Sequence, residues 1–124
     1  MKIWIAIGGF LGGLGVILGA LGAHALKDHL TEQKIAAFHT ATQYQIYHSL
    51  ALVMVGILAI QMGAPLSEKL NLVGSFFTAG IFLFSVSIYI LSLGGPKFFG
   101  PITPLGGLCF ISGWFTLAFL FLKK

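Results

Sequence analysis

The feature that most constrains this chain is a series of four apolar runs, each about as long as a bilayer is thick. They cover residues 3–23, about 46–62, about 72–93 and about 105–122. A helix needs about 20 residues, with a range of roughly 17 to 25, to span the hydrocarbon core. A chain of 124 residues that is 57% hydrophobic and only 8% charged cannot bury so much apolar surface within itself. Lipid is therefore its expected solvent.

Lipid restricts the fold to helices or to a closed barrel, since every backbone polar group must be satisfied inside the chain. No apolar run alternates with a period of two residues, so the sequence predicts helices. We predict an all-α, integral membrane bundle of four transmembrane helices, forming a single domain over residues 1–124. A short, charged interfacial segment within residues 24–38 is expected between helices 1 and 2, with Thr31 as the N-cap of a helix. A solvated loop is the simpler alternative for this segment.

The first run also resembles a signal peptide, because Lys2 precedes it and Ala23, His24 and Ala25 imitate a cleavage site. Its apolar part is longer than the core of a typical signal peptide. We therefore expect the mature protein to keep this first helix.

Glycines recur along the first run at spacings of 4, 3, 4 and 3 residues. This repeat of 3.5 residues places them on one seam of a helix, where small residues let another helix approach closely. The seam packs either against a helix of the same chain or against a second copy, and we expect a homo-oligomer through this helix. The seam residues are Gly8, Gly12, Gly15, Gly19 and Gly22.

The longest polar stretch, residues 39–48, runs into the second apolar run. On a helix His39, Gln43 and Tyr47 form one row, and Tyr44 and His48 form another. Because lipid penalises Gln and His, we expect these rows to face the bundle interior. They form either a hydrogen-bond network that fixes packing or a ligand, proton or lipid-headgroup site. The candidate binding residues are His24, His39, Gln43, Tyr44, Tyr47 and His48.

Haem or metal ligation by His24 and His48, on adjacent helices, is a further alternative. The chain has only three acidic residues and neither of the common zinc-protease helix motifs. Its one cysteine, Cys109, lies in an apolar run, which is typical of a small buried hydrophobe. We therefore expect no metal, no cofactor and no catalytic residue, and we predict that the protein is not an enzyme.

All seven basic residues are lysines, and most of them flank apolar runs. Such a distribution is typical of membrane boundaries and does not favour a nucleic-acid partner. With four spans both termini lie on one side. Four lysines fall on that side against three on the other, so we expect cytoplasmic termini.

Four ordered segments resemble domain-of-unknown-function family 423. They are residues 19–27, 40–52, 83–89 and 100–107, followed by Gly113 and Trp114. The family resembles small bacterial inner-membrane proteins, and the animal transmembrane protein 256 is similar to it. The resemblance implies a four-helix integral membrane protein and implies no established activity.

Together these features predict a non-enzymatic packing, interaction or lipid-contacting module of the bacterial plasma membrane. Membrane lipid and a second copy of the chain are the expected partners. The alternative is an oligomeric transporter or channel for ions or small molecules, because the polar stretch covers about half of a helix circumference.

Overall fold

The computed structural model describes residues 2–122 and confirms the four-helix membrane architecture. Helix α1 covers Lys2–Ala23 and helix α2 covers Glu32–Met62. Helix α3 covers Leu66–Ser92, and α4 covers Ile102–Leu122. All four are long and apolar enough to cross a membrane. Lys123 and Lys124, counted in the charge argument, lie outside the described residues.

The helices pack in chain order, α1 on α2, α2 on α3 and α3 on α4. Helices α2 and α3 are central and bury the larger share of their residues, whereas α1 and α4 are peripheral. A core of aliphatic and aromatic side chains lies between them, including Leu52, Leu70, Phe77 and Ile81. The loops after α1 and α3 lie at one end of the bundle, and the loop after α2 lies at the other.

Helix α2 starts earlier than its apolar run indicates. The Thr31 hydroxyl accepts a hydrogen bond from the backbone N–H of Lys34 at 3.2 Å, which confirms Thr31 as the N-cap. The 31 residues of α2 extend over about 46 Å, well beyond the hydrocarbon thickness. The segment between α1 and α2 is thus shorter than the predicted residues 24–38, because α2 takes over from Glu32 onward.

Helix α3 changes its winding in the middle. Residues Ile81–Val86 form a π-helical segment between two α-helical parts. A π turn displaces carbonyl groups from their usual partners. The Ser87 hydroxyl meets two of them, donating to the Leu83 oxygen at 2.7 Å and lying 2.9 Å from that of Phe84. Ser87 therefore offers the carbonyl groups of this segment a partner within the chain, as lipid requires.

The glycine seam of α1 packs against α2. A Cβ added at Gly8 would lie 2.6 Å from the backbone oxygen of Ser49, and one at Gly22 would lie 2.8 Å from the Phe38 ring. Gly12, Gly15 and Gly19 likewise face α2, so the seam serves packing within the chain. A homo-oligomer interface at this same seam is not available, because α2 already occupies it.

Candidate functional site

The interior face of α2 carries four buried polar side chains. Gln45 is 3% exposed and His48 is 4% exposed. Thr42 and Ser49 are buried beside them. Each hydroxyl donates a hydrogen bond to the carbonyl oxygen one turn earlier in α2, at 3.0 and 2.6 Å respectively. These four residues form a polar layer across the centre of the bundle. Together with Tyr89 and Trp114 we call them the polar core.

Gln45 ties three helices together. Its amide Nε2 donates to the backbone oxygen of Leu11 in α1 at 2.7 Å, and its Oε1 accepts from the Tyr89 hydroxyl of α3 at 2.6 Å. Gly15 faces this amide, since a Cβ there would lie 3.5 Å from Nε2 and only 2.9 Å from Ile46. The glycine therefore lets α1 come close enough for the Leu11 carbonyl to be reached.

His48 lies between α2 and α4 with both ring nitrogens engaged. Nδ1 lies 2.7 Å from the Tyr44 carbonyl oxygen, which can only accept, so Nδ1 carries a hydrogen. The Trp114 indole N–H donates to Nε2 at 2.9 Å. The ring is stacked on Phe110, with centroids 3.7 Å apart and planes 11° from parallel. These contacts select the neutral Nδ1–H tautomer and hold the ring in one orientation.

A serine on α3 adds a further bond to α2. The Ser85 hydroxyl donates to the Ala41 backbone oxygen of α2 at 2.7 Å. Near the other end of the bundle, the Trp4 indole of α1 donates to the Asn71 side-chain oxygen of α3 at 2.7 Å. Side-chain bonds thus connect α2 to every other helix, and α1 to α3.

The six sequence-predicted candidates do not form one cluster. His48 alone is buried, while Gln43 is partly buried and Tyr44 is 39% exposed with its ring against Phe84. The remaining candidates, His24, His39 and Tyr47, are exposed.

The prediction that the row of His39, Gln43 and Tyr47 faces the bundle interior is therefore wrong. The interior face of α2 is set by Phe38, whose ring fits against Gly22, and by Ala41 in the same row. The polar stretch is part of α2, and the helix is oriented so that the side opposite this row packs against α1 and α3.

Sequence reasoning missed Gln45, Tyr89 and Trp114, which carry the interhelical bonds. One signal could have located the right face of α2. Small and polar residues recur at Thr42, Gln45 and Ser49, with spacings of 3 and 4 residues that match those of the α1 glycines. Two antiparallel helices with the same repeat place such positions opposite each other.

The pairing of His24 and His48 on one metal or haem is also wrong. His24 follows Gly22 of α1 in the sequence, and Gly22 packs against Phe38 of α2. His24 therefore lies near Phe38, which is ten residues before His48 in the same helix. Ten helical residues correspond to about 15 Å along the axis. Within residues 2–122 no group of three or more His, Cys, Asp or Glu side chains is placed to hold a metal ion.

Several grooves lie on the outside of the bundle, and two of them bear on function. The first, the Lys34 groove, has a volume of about 630 Å³ and lies between the start of α2, the end of α3 and the start of α4. The second, the Gly9 groove, has a volume of about 290 Å³ and runs between α1 and α2 beside Gly9, Gly13 and Leu50.

Comparison with known proteins places these features in a family. Residues 18–107 match the family described as protein of unknown function, DUF423. The UPF0382 membrane protein YwdK of Bacillus subtilis is 42% identical over 120 residues, covering 92% of this chain and 91% of the relative. A UPF0382 membrane protein of Staphylococcus epidermidis is 37% identical over 123 residues, covering 99% and 98%.

A further relative, the UPF0382 membrane protein SAB0533 of Staphylococcus aureus, is 39% identical over 117 residues, covering 94% of this chain and 93% of its own length. No solved structure matches the chain significantly. The family match includes all of α2 and α3 with the adjoining ends of α1 and α4, and these relatives align almost end to end, so the chain belongs to the DUF423 family of membrane proteins.

Proposed function

We propose that this protein is a non-enzymatic interaction module of the bacterial plasma membrane, acting through contacts with lipid and with a second copy of itself. The observation that carries the proposal is the use of the polar core. Gln45, His48 and Tyr89 direct their polar groups to other helices of the same chain. Because these polar groups are bonded within the chain, their role is structural. The outer surface of the bundle then remains available for contacts with lipid or protein.

The same observation weighs against a transporter built on the polar stretch. A solute pathway needs polar groups that line an open space. Here the His48 ring is stacked at 3.7 Å on Phe110, and Gln45 lies within hydrogen-bonding distance of α1 and α3. These two side chains fill the space between the helices, and neither lines an open cavity.

The Gly9 groove supports self-association. Gly9 and Gly13 are four residues apart on the outer side of α1, and a Cβ added at either would meet nothing within 4 Å in the chain. This is the small-xxx-small spacing at which two membrane helices approach closely. Val16 and Leu50 line the groove and supply apolar contact for a helix lying in it. The groove borders the seam that α2 occupies, since Gly8 and Gly12 also line it, but Gly9 and Gly13 themselves are not covered by α2.

The test is association in lipid bilayers, measured by energy transfer between donor- and acceptor-labelled copies reconstituted at increasing dilution. The double variant Gly9→Leu and Gly13→Leu places large side chains in the Gly9 groove, at two positions where an added Cβ meets nothing within 4 Å. We expect it to weaken association, by about tenfold if it removes roughly 1.4 kcal/mol of contact. The control Gly107→Leu adds the same side chain on α4, where a Cβ also meets nothing within 4 Å.

A wild-type protein that stays monomeric at all dilutions would contradict the self-association. So would a Gly9/Gly13 variant that associates as strongly as the Gly107 control. The structural role of the polar core is tested separately, through the free energy of unfolding of a Gln45 variant.

A further inference from the structure

The Lys34 groove combines an apolar wall with one basic side chain at its rim. Ile88 and Leu91 of α3, Ala37 of α2 and Pro104 of α4 contribute the apolar wall. Lys34 is exposed and lies one helical turn before Ala37, toward the start of α2. The groove is therefore amphipathic along its length, with charge at the end of the bundle and hydrocarbon further in.

The electrostatics of this groove favour an anion. Among the described residues, its lining contains Lys34 and no carboxylate. Helices α2 and α4 both begin beside it, and a helix N-terminus carries a partial positive charge. The Thr103 hydroxyl also lines the groove, but it is hydrogen-bonded to Ser87 within the chain. The C-terminal end of α3 carries the opposite partial charge and offsets one of these two dipoles, so Lys34 supplies most of the positive charge of the groove.

The position of the groove along the length of the helices indicates its occupant. It lies where α3 ends at Ser92 and where α2 and α4 begin, which is the boundary between loops and membrane-spanning helices. Phospholipid headgroups occupy this boundary, and acyl chains lie along the helices below it. We propose that the Lys34 groove binds a phospholipid with an anionic headgroup, whose phosphate lies at Lys34 and whose acyl chain lies along Ile88 and Leu91.

The neighbouring groove on the other side of α2 provides an internal comparison. It contains Lys27, but Asp28 and Glu32 line it as well, so its acidic side chains outnumber the lysine. The proposal predicts selectivity for anionic lipid at Lys34 and little or none at Lys27. It rests on the lipid-contacting part of the proposed function and is independent of self-association through the Gly9 groove.

The experiment is native mass spectrometry of the delipidated protein titrated with palmitoyl-oleoyl phosphatidylglycerol or phosphatidylcholine. We expect the wild type to retain phosphatidylglycerol preferentially, and Lys34→Gln to lose about fivefold in affinity, the effect of one basic side chain at an anionic membrane surface. Ala37→Trp, which fills the groove and leaves the charge, should weaken both lipids. Lys27→Gln removes the same charge outside the groove and should leave the selectivity unchanged.

Equal losses in Lys34→Gln and Lys27→Gln would overturn the proposal, because they would show binding to the overall surface charge. Unchanged binding in both Lys34→Gln and Ala37→Trp would overturn it too. Helical circular dichroism of each variant separates these outcomes from misfolding. Energy transfer between labelled copies of Lys34→Gln reports self-association, so failure here and failure of the Gly9 groove are distinguishable.

Discussion

Gln45 occupies a position that a lipid-dissolved protein tolerates only when each polar atom is paired. Its amide nitrogen and oxygen both find partners, one on α1 and one on α3. Interhelical hydrogen bonds within membranes contribute about 0.6–2 kcal/mol each. Their larger effect is on specificity, because an unpaired amide in an apolar interior is costly and a shifted helix would leave it unpaired. Gln45 therefore defines the register of α1, α2 and α3.

Replacing Gln45 by leucine should destabilise the bundle by about 1–3 kcal/mol, since the buried hydroxyl of Tyr89 loses its short hydrogen bond. The free energy of unfolding, measured by SDS titration in mixed micelles, reports the change. Gln43→Leu is the matched control, because Gln43 is only partly buried and makes none of these interhelical bonds. A loss in the Gln43 variant as large as in the Gln45 variant would contradict the assignment.

At the scale of the elements, glycine decides how closely helices approach. The α1 glycines accommodate α2, and Gly106 does the same between α4 and α3. A Cβ at Gly106 would overlap the backbone of Leu83 and Phe84, lying 2.6 Å from the Leu83 carbonyl carbon. Those two residues belong to the π-helical segment Ile81–Val86. Backbone atoms cannot rotate away as a side chain can, so this contact depends on glycine.

Gly106→Ala should therefore cost about 1–3 kcal/mol, as overpacking does in tightly packed cores. The neighbouring Gly107→Ala should be neutral or stabilising, because its Cβ meets nothing within 4 Å and alanine is the better helix former by about 1 kcal/mol. Thermal unfolding in the same detergent compares the two variants directly. If both behaved alike, the close approach of α4 to the π-helical segment would be refuted.

The helices themselves were predictable from the sequence, and so was the role of the α1 seam as a close-packing surface. What the apolar runs did not reveal was the true start of α2. Residues 32–45 are too polar to register as a membrane span, yet Thr31 caps a helix that continues through them. The π-helical segment was not predictable either, since it depends on contact with Gly106 and on Ser87 satisfying carbonyls.

At the scale of the whole molecule, the distribution of lysines determines the orientation we propose. Lys2 and Lys69 lie at the end of the bundle that carries the α2–α3 loop, and the sequence adds Lys123 and Lys124 after α4. The opposite end carries the loops after α1 and α3, where the other three lysines lie. From the positive-inside rule we propose that the termini lie in the cytoplasm.

Labelling of intact bacteria with a membrane-impermeant maleimide tests this orientation. In a Cys109→Ala background, Lys27→Cys should react from outside, whereas Lys69→Cys should react only after the membrane is permeabilised. Both cysteines should react equally in detergent, which is the control for accessibility. The reverse pattern in intact cells would invert the topology and place the Lys34 groove in the cytoplasmic leaflet.

The sequence by itself determined the number of spans, the helical class and the close-packing face of α1, because each follows from local properties. Bilayer thickness sets span length, and lipid leaves the backbone no partner outside the chain. Only the tertiary structure decided which side of α2 is internal. Gln43 and Gln45 point about 200° apart on a helix, and both are equally polar. Helical periodicity shows that they lie on opposite sides of α2 but does not show which side is internal. Gln45 is internal because its partners, the Leu11 carbonyl and the Tyr89 hydroxyl, and the α1 glycines lie on its side.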